Sequence, residues 1–137
     1  MKRLLLFIIL MNSFYNFAQE TTDYQLQEYT LPLGESVSFE NIRLEFKTLS
    51  VDSRCPKEVT CVRAGEVIAT INVYVDTIFK KEFRLIFYPY SVLEQLTEFL
   101  ETENVLIKNL KLFPYPKADE KQVNSNYYLQ LDKLIVD

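Results

Sequence analysis

Four segments of this chain alternate apolar and polar residues with a period of two, and this pattern restricts the fold more than any other feature. The apolar positions are Ile42, Leu44 and Phe46; Val67, Ala69, Ile71, Val73 and Val75; Phe83, Leu85 and Phe87; and Tyr127, Leu129 and Leu131. Alternation of this kind places one set of side chains on a buried face and the other set outward. The β-branched and aromatic residues that dominate the segments also favour strands. We therefore predict a strand in each segment.

Three further segments, residues 24–31, 36–39 and 105–112, are weaker strand candidates, and the last requires one slip of phase at a β-bulge. Gly34 and the pair Asp76-Thr77 are typical of hairpin turns. Pro114 and Pro116 should end the strand before them, because proline removes a ladder donor. About seven strands with frequent turns predict an all-β fold, namely an antiparallel β-sandwich, either Ig-like or closed into a small barrel.

One segment departs from the period of two. Ser91 and Glu94 have the spacing of a helix-capping box, and the apolar residues after Ser91 follow helical spacing. This pattern predicts a short helix near residues 92–101 that lies across one end of the sheets and covers the core.

The start of the chain has the layout of a secretory signal peptide. Lys2 and Arg3 precede the apolar run 4–11, and the small residue Ala18 suits the position before a cleavage site. The run is much shorter than the roughly 20 residues of a membrane-spanning helix. We therefore expect residues 1–18 to be a signal peptide and residues 19–137 to form a single β-sandwich domain. The mature protein would be periplasmic or secreted, without membrane insertion.

The charge of the chain disfavours some partners. The sequence has 15 basic and 19 acidic residues, a net charge of −4, and removal of residues 1–18 takes away two basic residues and leaves −6. Because an acidic chain with scattered basic residues repels phosphate backbones, nucleic-acid binding is disfavoured.

The two cysteines, Cys55 and Cys61, enclose only five residues. In an oxidising compartment so close a pair is expected to form a disulfide. The alternatives are a zinc site, a catalytic redox pair and two free thiols, but zinc normally needs four Cys or His ligands and redox pairs usually have two intervening residues. Pro56 should stiffen the loop, and Gly65 is predicted to supply a backbone geometry that other residues resist.

Charged residues surround the two cysteines. They are Asp52, Arg54, Lys57, Glu58, Arg63 and Glu66. The simplest interpretation is a local ion-pair cluster that fixes the loop. A second is that Arg54, Lys57 and Arg63 present a basic surface to an acidic partner or ligand. A third is a protease-inhibitor loop that offers Arg54 to a trypsin-like cleft, since a closed loop is preorganised for binding.

Two aromatic clusters lie beside prolines at predicted strand ends, and they contain Tyr88 and Tyr90, and Phe113 and Tyr115. If the clusters meet in space, they could form a shallow platform for a glycan or an extended peptide. The alternative is that they only cap the end of the core.

Several catalytic chemistries lack their residues. The chain has no histidine, which excludes Ser-His-Asp and Cys-His nucleophilic sites and every histidine-based metal site. Two isolated glycines exclude a glycine-rich phosphate loop. We predict no metal, no cofactor and no enzymatic activity, although a pair of carboxylates could still hydrolyse glycosides without histidine.

The segment Asp52-Ser53-Arg54-Cys55-Pro56, followed by Cys61 and Ala64-Gly65, resembles a pattern in small, uncharacterised secreted or periplasmic bacterial proteins. The resemblance covers most of the mature chain except the predicted helix. Many members of that group have tryptophan where this chain has Arg63, which weakens any role for that position. The resemblance implies an exported, disulfide-containing all-β protein and implies no activity.

The function predicted from these observations is that of an exported, non-enzymatic binding module whose partner is a protein, a peptide or a glycan. The alternatives are a hydrolase with paired carboxylates and a secreted protease inhibitor that presents the Cys55–Cys61 loop.

Overall fold

The computed structural model of the chain describes residues 24–87, 94–120, 123 and 126–136. The predicted signal peptide 1–18 and the residues Tyr88, Tyr90 and Ser91 lie outside this part. The described elements are β1 (Tyr24–Pro32), β2 (Ser36–Phe39), β3 (Ile42–Leu49), β4 (Val67–Val75), β5 (Ile78–Phe87), α1 (Glu94–Thr102), β6 (Ile107–Phe113) and β7 (Tyr128–Val136).

The seven described strands form an all-β sandwich of two antiparallel sheets, which confirms the predicted fold class. One sheet has the strand order β2-β3-β4-β5, a meander in which each strand pairs with the next along the chain. The other has the order β1-β7-β6, so the first and last strands of the chain lie side by side. On the described part of the chain, the edge strands are therefore β2 and β5 in one sheet and β1 and β6 in the other.

The core lies between the inner faces of the two sheets. Every apolar position of the four alternating segments is buried there, from Ile42 in β3 to Leu131 in β7. Their polar neighbours along the strands are directed outward, as a strand with one buried face requires. The alternation in the sequence therefore predicted the inner faces correctly.

The weaker strand candidates are also confirmed. β6 pairs with β7 in a register that shifts between Ile107 and Asn109, which is the irregularity that the slip of phase in the sequence requires. Asp76 and Thr77 have φ angles of 49° and 68°, and Gly34 has a φ of 85°, which are the left-handed conformations of tight hairpin turns. β6 ends at Phe113, directly before Pro114.

α1 lies along the chain between two of the edge strands, β5 and β6, and packs on the core. Leu96 and Leu100 are buried, and the ring of Phe99 lies 5.5 Å from the ring of Phe83 in β5. The helix thus covers the core as the sequence predicts. Within the described residues, no helix combines the length and the apolar character that crossing a bilayer requires.

Candidate functional site

Cys55 and Cys61 form a disulfide with their Cα atoms 6.0 Å apart, as predicted from their spacing. We call residues 55–61 the cysteine loop. It lies in the connection between β3 and β4, and residues 57–64 are exposed to solvent. Val59 in the loop is 45% exposed, and Val62, directly after Cys61, is fully exposed, so apolar side chains face solvent here. Because the disulfide closes the ring, residues 55–61 sample far fewer conformations than an open loop of the same length.

A buried ion pair lies at the base of the cysteine loop. The Arg54 guanidinium donates two hydrogen bonds to the Asp52 carboxylate, one from Nε to Oδ1 at 2.9 Å and one from Nη2 to Oδ2 at 2.7 Å. The side chains of Arg54 and Asp52 are 7% and 4% exposed. A fork of two parallel charged hydrogen bonds fixes the orientation of both groups, which a single contact does not.

The same guanidinium connects the loop to the second sheet. Arg54 Nη1 donates to the Leu112 carbonyl at 3.0 Å, and Nη2 donates to the Pro114 carbonyl at 2.8 Å. The Tyr127 hydroxyl donates to Asp52 Oδ2 at 2.9 Å, and burial with this hydrogen bond raises the pKa of Tyr127 to about 12. The ion pair is thus compensated by hydrogen bonds on both sides, which a buried charge requires.

A close backbone contact holds the two ends of the connection together. The Ser53 hydroxyl donates to the Glu66 carbonyl at 2.8 Å and accepts from the Glu66 N–H at 2.9 Å. A Cβ atom on Gly65 would lie only 1.6 Å from the Ser53 carbonyl oxygen. The sequence-based reason for Gly65 needs correction: glycine is required because the Ser53 backbone passes against it, and a positive φ is seen at Gly34 alone among the described glycines.

Tyr115 packs against the loop from the side of β6. Its hydroxyl donates to the Cys55 carbonyl at 3.0 Å. The Arg54 guanidinium lies 4.8 Å and the Lys57 ammonium 5.3 Å from the centre of its ring, which are cation–π distances. Tyr115 is still 37% exposed, so its ring is fixed while part of it faces solvent.

These contacts border a groove of about 420 Å³, which we call the loop groove. Its walls are Arg54, Cys55, Lys57, Ala64 and Gly65 on the loop side, and Phe87, residues 110–113 and Tyr115 on the other. Its volume is within the range of small-ligand pockets. Arg54, Lys57 and Lys111 are its basic residues, and none of the described lining residues is acidic. Because Asp52 neutralises Arg54, the uncompensated positive charge of the groove comes from Lys57 and Lys111.

The structure brings some of the predicted site residues together and separates others. Lys57, Phe113 and Tyr115 all line the loop groove. Arg63 is exposed and is not part of the groove lining. Phe113 is half-buried and stacks on Tyr128 of β7, with ring centres 5.5 Å apart. The predicted partners of Phe113 and Tyr115 in an aromatic platform, Tyr88 and Tyr90, lie outside the described residues.

Arg54 is not the surface residue that the second and third interpretations of the loop require, and its ion pair with Asp52 agrees with the first. Arg54 is 8% exposed, because its guanidinium donates to the Asp52 carboxylate, to the Leu112 carbonyl of β6 and to the Pro114 carbonyl just after β6. It is therefore not the side chain that an inhibitor loop would insert into a protease. The predicted ion-pair cluster is also smaller than expected, since Glu58, Arg63 and Glu66 are exposed and the ion pair of this region is that of Asp52 with Arg54.

Two carboxylates do share a face of the four-stranded sheet. Glu45 of β3 and Glu82 of β5 are both paired with Asn72 of β4, so their backbones are two strand spacings, or about 9.6 Å, apart. Hydrogen bonds from Tyr74 and Asn72 lower the pKa of Glu45, and Lys47 pairs with Glu82 at 2.9 Å. A general acid needs a raised pKa, and the pKa of Glu45 is shifted in the opposite direction.

A second groove, of about 630 Å³, lies at the other end of the three-stranded sheet and is lined by Tyr24, Leu26, Leu106, Lys108 and Leu134. These side chains form an apolar patch with one basic residue, and no carboxylate lines it within the described residues. The described part of the chain also contains no group of three or more Cys, Asp or Glu residues arranged to hold a metal ion.

Sequence reasoning named Asp52 in the ion-pair cluster but not its burial, and it missed three residues of the site in these roles: Phe87, Lys111 and Tyr127. Phe87 and Tyr127 were predicted only as inner-face strand residues, and Lys111 only as part of a strand. The spacing of Asp52 and Arg54, two residues apart beside a cysteine, was the one local signal for the ion pair, but its burial depends on contacts 58 to 75 residues away.

Comparison of the chain with protein-family models, with curated proteins and with solved structures gave no match.

Proposed function

We propose that this protein is an exported, non-enzymatic β-sandwich domain that binds a partner in the loop groove. The observation that carries the proposal is the charge of the groove. A chain with a net charge of −4 collects Lys57 and Lys111 along one concave site whose described lining has no acidic residue. Electrostatic complementarity of this kind favours an anionic partner and speeds its association.

The rigidity of the site supports a binding role. The disulfide closes the cysteine loop, and the Asp52–Arg54 pair ties its base to the opposite sheet. A surface that is already fixed loses little conformational entropy when a partner binds. Tyr115, a residue type favoured in binding sites, is held at the groove with part of its ring in solvent.

Export is the second part of the proposal. It is supported by the signal-like start of the sequence and by the disulfide, since disulfides persist in oxidising compartments. The test is the intact mass of the protein recovered from outside the cytoplasm, with alkylation before and after reduction. We expect a mass that corresponds to a start near residue 19 and two thiols that react only after reduction. A full-length product, or thiols that react without reduction, would contradict export.

The binding role is tested by affinity capture with three forms of the mature protein. These are the natural sequence, the double variant K57E/K111E, and K80E as a control. K80E makes the same kind of charge change on β5, seven residues or about 23 Å from Phe87. A partner identified by mass spectrometry is then purified, and its affinity for each form is measured by calorimetry. We expect K57E/K111E alone to weaken binding. Equal affinities for all three forms would reject the loop groove as the site.

A further inference from the structure

β6 is one of the two edge strands of the three-stranded sheet, and its free edge borders the loop groove. The direction of its backbone groups follows from the ladder. The Leu33 N–H donates to the Tyr127 carbonyl at 2.9 Å, so the groups of Tyr127 face β1. Because backbone groups alternate along an antiparallel strand, those of Gln130 face β6, where Lys111 is the residue opposite.

Since Lys111 is bonded into the ladder, its neighbours Leu110 and Leu112 turn their N–H and C=O groups away from β7 and toward the groove. An independent contact agrees with this assignment, because the Leu112 carbonyl accepts a hydrogen bond from Arg54 on the groove side. The N–H and C=O of Leu110 and the N–H of Leu112 therefore face the groove without a partner in the sheet. Within the part of the chain that the structure describes, no hydrogen-bond partner is found for these three groups.

The groove beside this edge suits side chains of an extended chain. Phe87, Phe113 and Tyr115 give it apolar walls, while Lys57 and Lys111 supply positive charge. A strand laid along an edge directs alternate side chains to opposite sides, so apolar and charged contacts can be made by successive residues. A glycan lacks the regular row of donors and acceptors that the backbone groups of Leu110 and Leu112 would pair with.

We propose that an extended peptide with acidic side chains adds to the edge of β6 at Leu110 and Leu112, as a short fourth strand of the three-stranded sheet. Main-chain hydrogen bonds would supply affinity, and the lysines would select carboxylate side chains, as in other cases of strand addition. The inference rests on the proposed binding role of the loop groove and specifies its ligand.

Arg54 sets the length of the added strand. Its guanidinium already occupies the carbonyls of Leu112 and Pro114, which a longer partner strand would use. The peptide therefore pairs with β6 only up to the Leu112 N–H. Arg54 also covers this end of the edge and so blocks the kind of unlimited edge pairing that leads to aggregation.

The test uses three capped heptapeptides and the ¹⁵N-labelled mature protein with its disulfide intact. One peptide alternates valine with glutamate, the second alternates valine with lysine, and the third is the glutamate peptide with every backbone nitrogen methylated. We expect only the first to bind. N-methylation removes the donors that pair with an edge strand but keeps the charge, so it separates strand addition from simple charge attraction.

Amide hydrogen exchange locates the contact. When the glutamate peptide is bound, exchange of the Leu110 and Leu112 amides should slow by about tenfold or more, as for amides that become part of a ladder. The Lys111 amide is the internal control, because it is already bonded to β7 and its exchange should stay unchanged. K57E should weaken the peptide by about fivefold, the upper range for one exposed charge pair, while K80E should not.

The remaining outcomes separate this inference from the proposed function. Equal binding of the methylated peptide, or unchanged exchange at Leu110 and Leu112, would overturn strand addition. Binding of polygalacturonate that K57E abolishes, with no change at these two amides, would likewise overturn it and would keep the groove as a glycan site. If neither the peptides nor polygalacturonate shifts any resonance of the groove residues, both the inference and the binding of anions in the groove are wrong.

Discussion

The Arg54 guanidinium and the Asp52 carboxylate form a bidentate ion pair that is almost completely removed from solvent, with an Nη2–Oδ2 distance of 2.7 Å. The two residues are separated by Ser53 alone, yet their other partners are distant in the sequence: Leu112 lies in β6, Pro114 directly follows β6, and Tyr127 directly precedes β7. The pair therefore joins the connection that carries the cysteine loop to the edge of β6. This is the contact that places the loop beside the groove.

Removal of one partner of this pair should strongly destabilise the fold. In R54M the Asp52 carboxylate stays buried without its cation, which typically costs about 3–5 kcal/mol of unfolding free energy. Urea unfolding with the disulfide intact measures the loss. The matched control is K117M, which breaks the Lys117–Glu120 pair, where both side chains are 60% exposed. An exposed pair contributes about 0–1 kcal/mol. Similar losses in the two variants would mean that the Arg54 pair does not hold the fold.

Gly65 should be far less replaceable than Gly34. In G65A the new methyl group would overlap the Ser53 carbonyl carbon and oxygen, so the backbone on one side must move and the Ser53–Glu66 hydrogen bonds should break. In G34A nothing lies within 4 Å of the added atom, and the cost is that of alanine at a φ of 85°, about 1–2 kcal/mol. Thermal unfolding of both variants compares them. A smaller loss of stability in G65A would contradict this contact.

The regular part of the fold was readable from the sequence because its signals are local. Alternation along β3, β4 and β5 marks which side chains are buried, and two cysteines with five residues between them can reach each other in almost any loop. The bulge in β6 was also visible in the sequence. The buried apolar residues Val105 and Ile107 have odd numbers, whereas Leu110 and Leu112 have even numbers, so the alternation changes phase between them.

The site was not readable in the same way. Arg54 is buried because two carbonyls near Pro114 and a tyrosine hydroxyl converge on it and on Asp52, and no periodicity records such a meeting of distant segments. An arginine beside an exposed loop is ordinarily a surface residue, so the residue type alone predicts that Arg54 is exposed, whereas it is buried. The opposing wall of the groove depends likewise on which strand is outermost, and this follows from the pairing of β6 with β7.

Loss of the disulfide should affect the cysteine loop more than the rest of the fold. In C55A/C61A the opened ring should cost about 2–2.5 kcal/mol of unfolding free energy in the chain-entropy model, which is less than the loss in R54M. The base of the loop keeps the Asp52–Arg54 pair, so the sheets should stay intact. NMR spectra should show changes concentrated in residues 55–63 and at Tyr115, which donates to the Cys55 carbonyl. Global loss of dispersion in the spectrum would contradict this separation.

Tyr127 should ionise at a higher pH than an ordinary tyrosine, and the stability of the fold should therefore fall as the pH becomes strongly alkaline. Burial, together with its hydrogen bond to Asp52, raises the pKa of Tyr127 from 10 to about 12. A pKa that is raised in the folded state means that the native protein holds this proton more tightly than the unfolded chain. The stabilisation is therefore complete below pH 10 and is lost as the pH rises through 12.

Absorbance at 295 nm, which follows tyrosine ionisation, checks this behaviour. The difference between the natural sequence and Y127F should contain one tyrosine that ionises near pH 12, whereas Y24F, at a 60% exposed position, should leave that late phase in place. The stability advantage of the natural sequence over Y127F, measured by urea unfolding, should shrink between pH 10 and pH 12. A constant advantage across this range would show that folding does not raise the pKa of Tyr127. It would contradict the burial of this hydroxyl beside the Asp52 carboxylate.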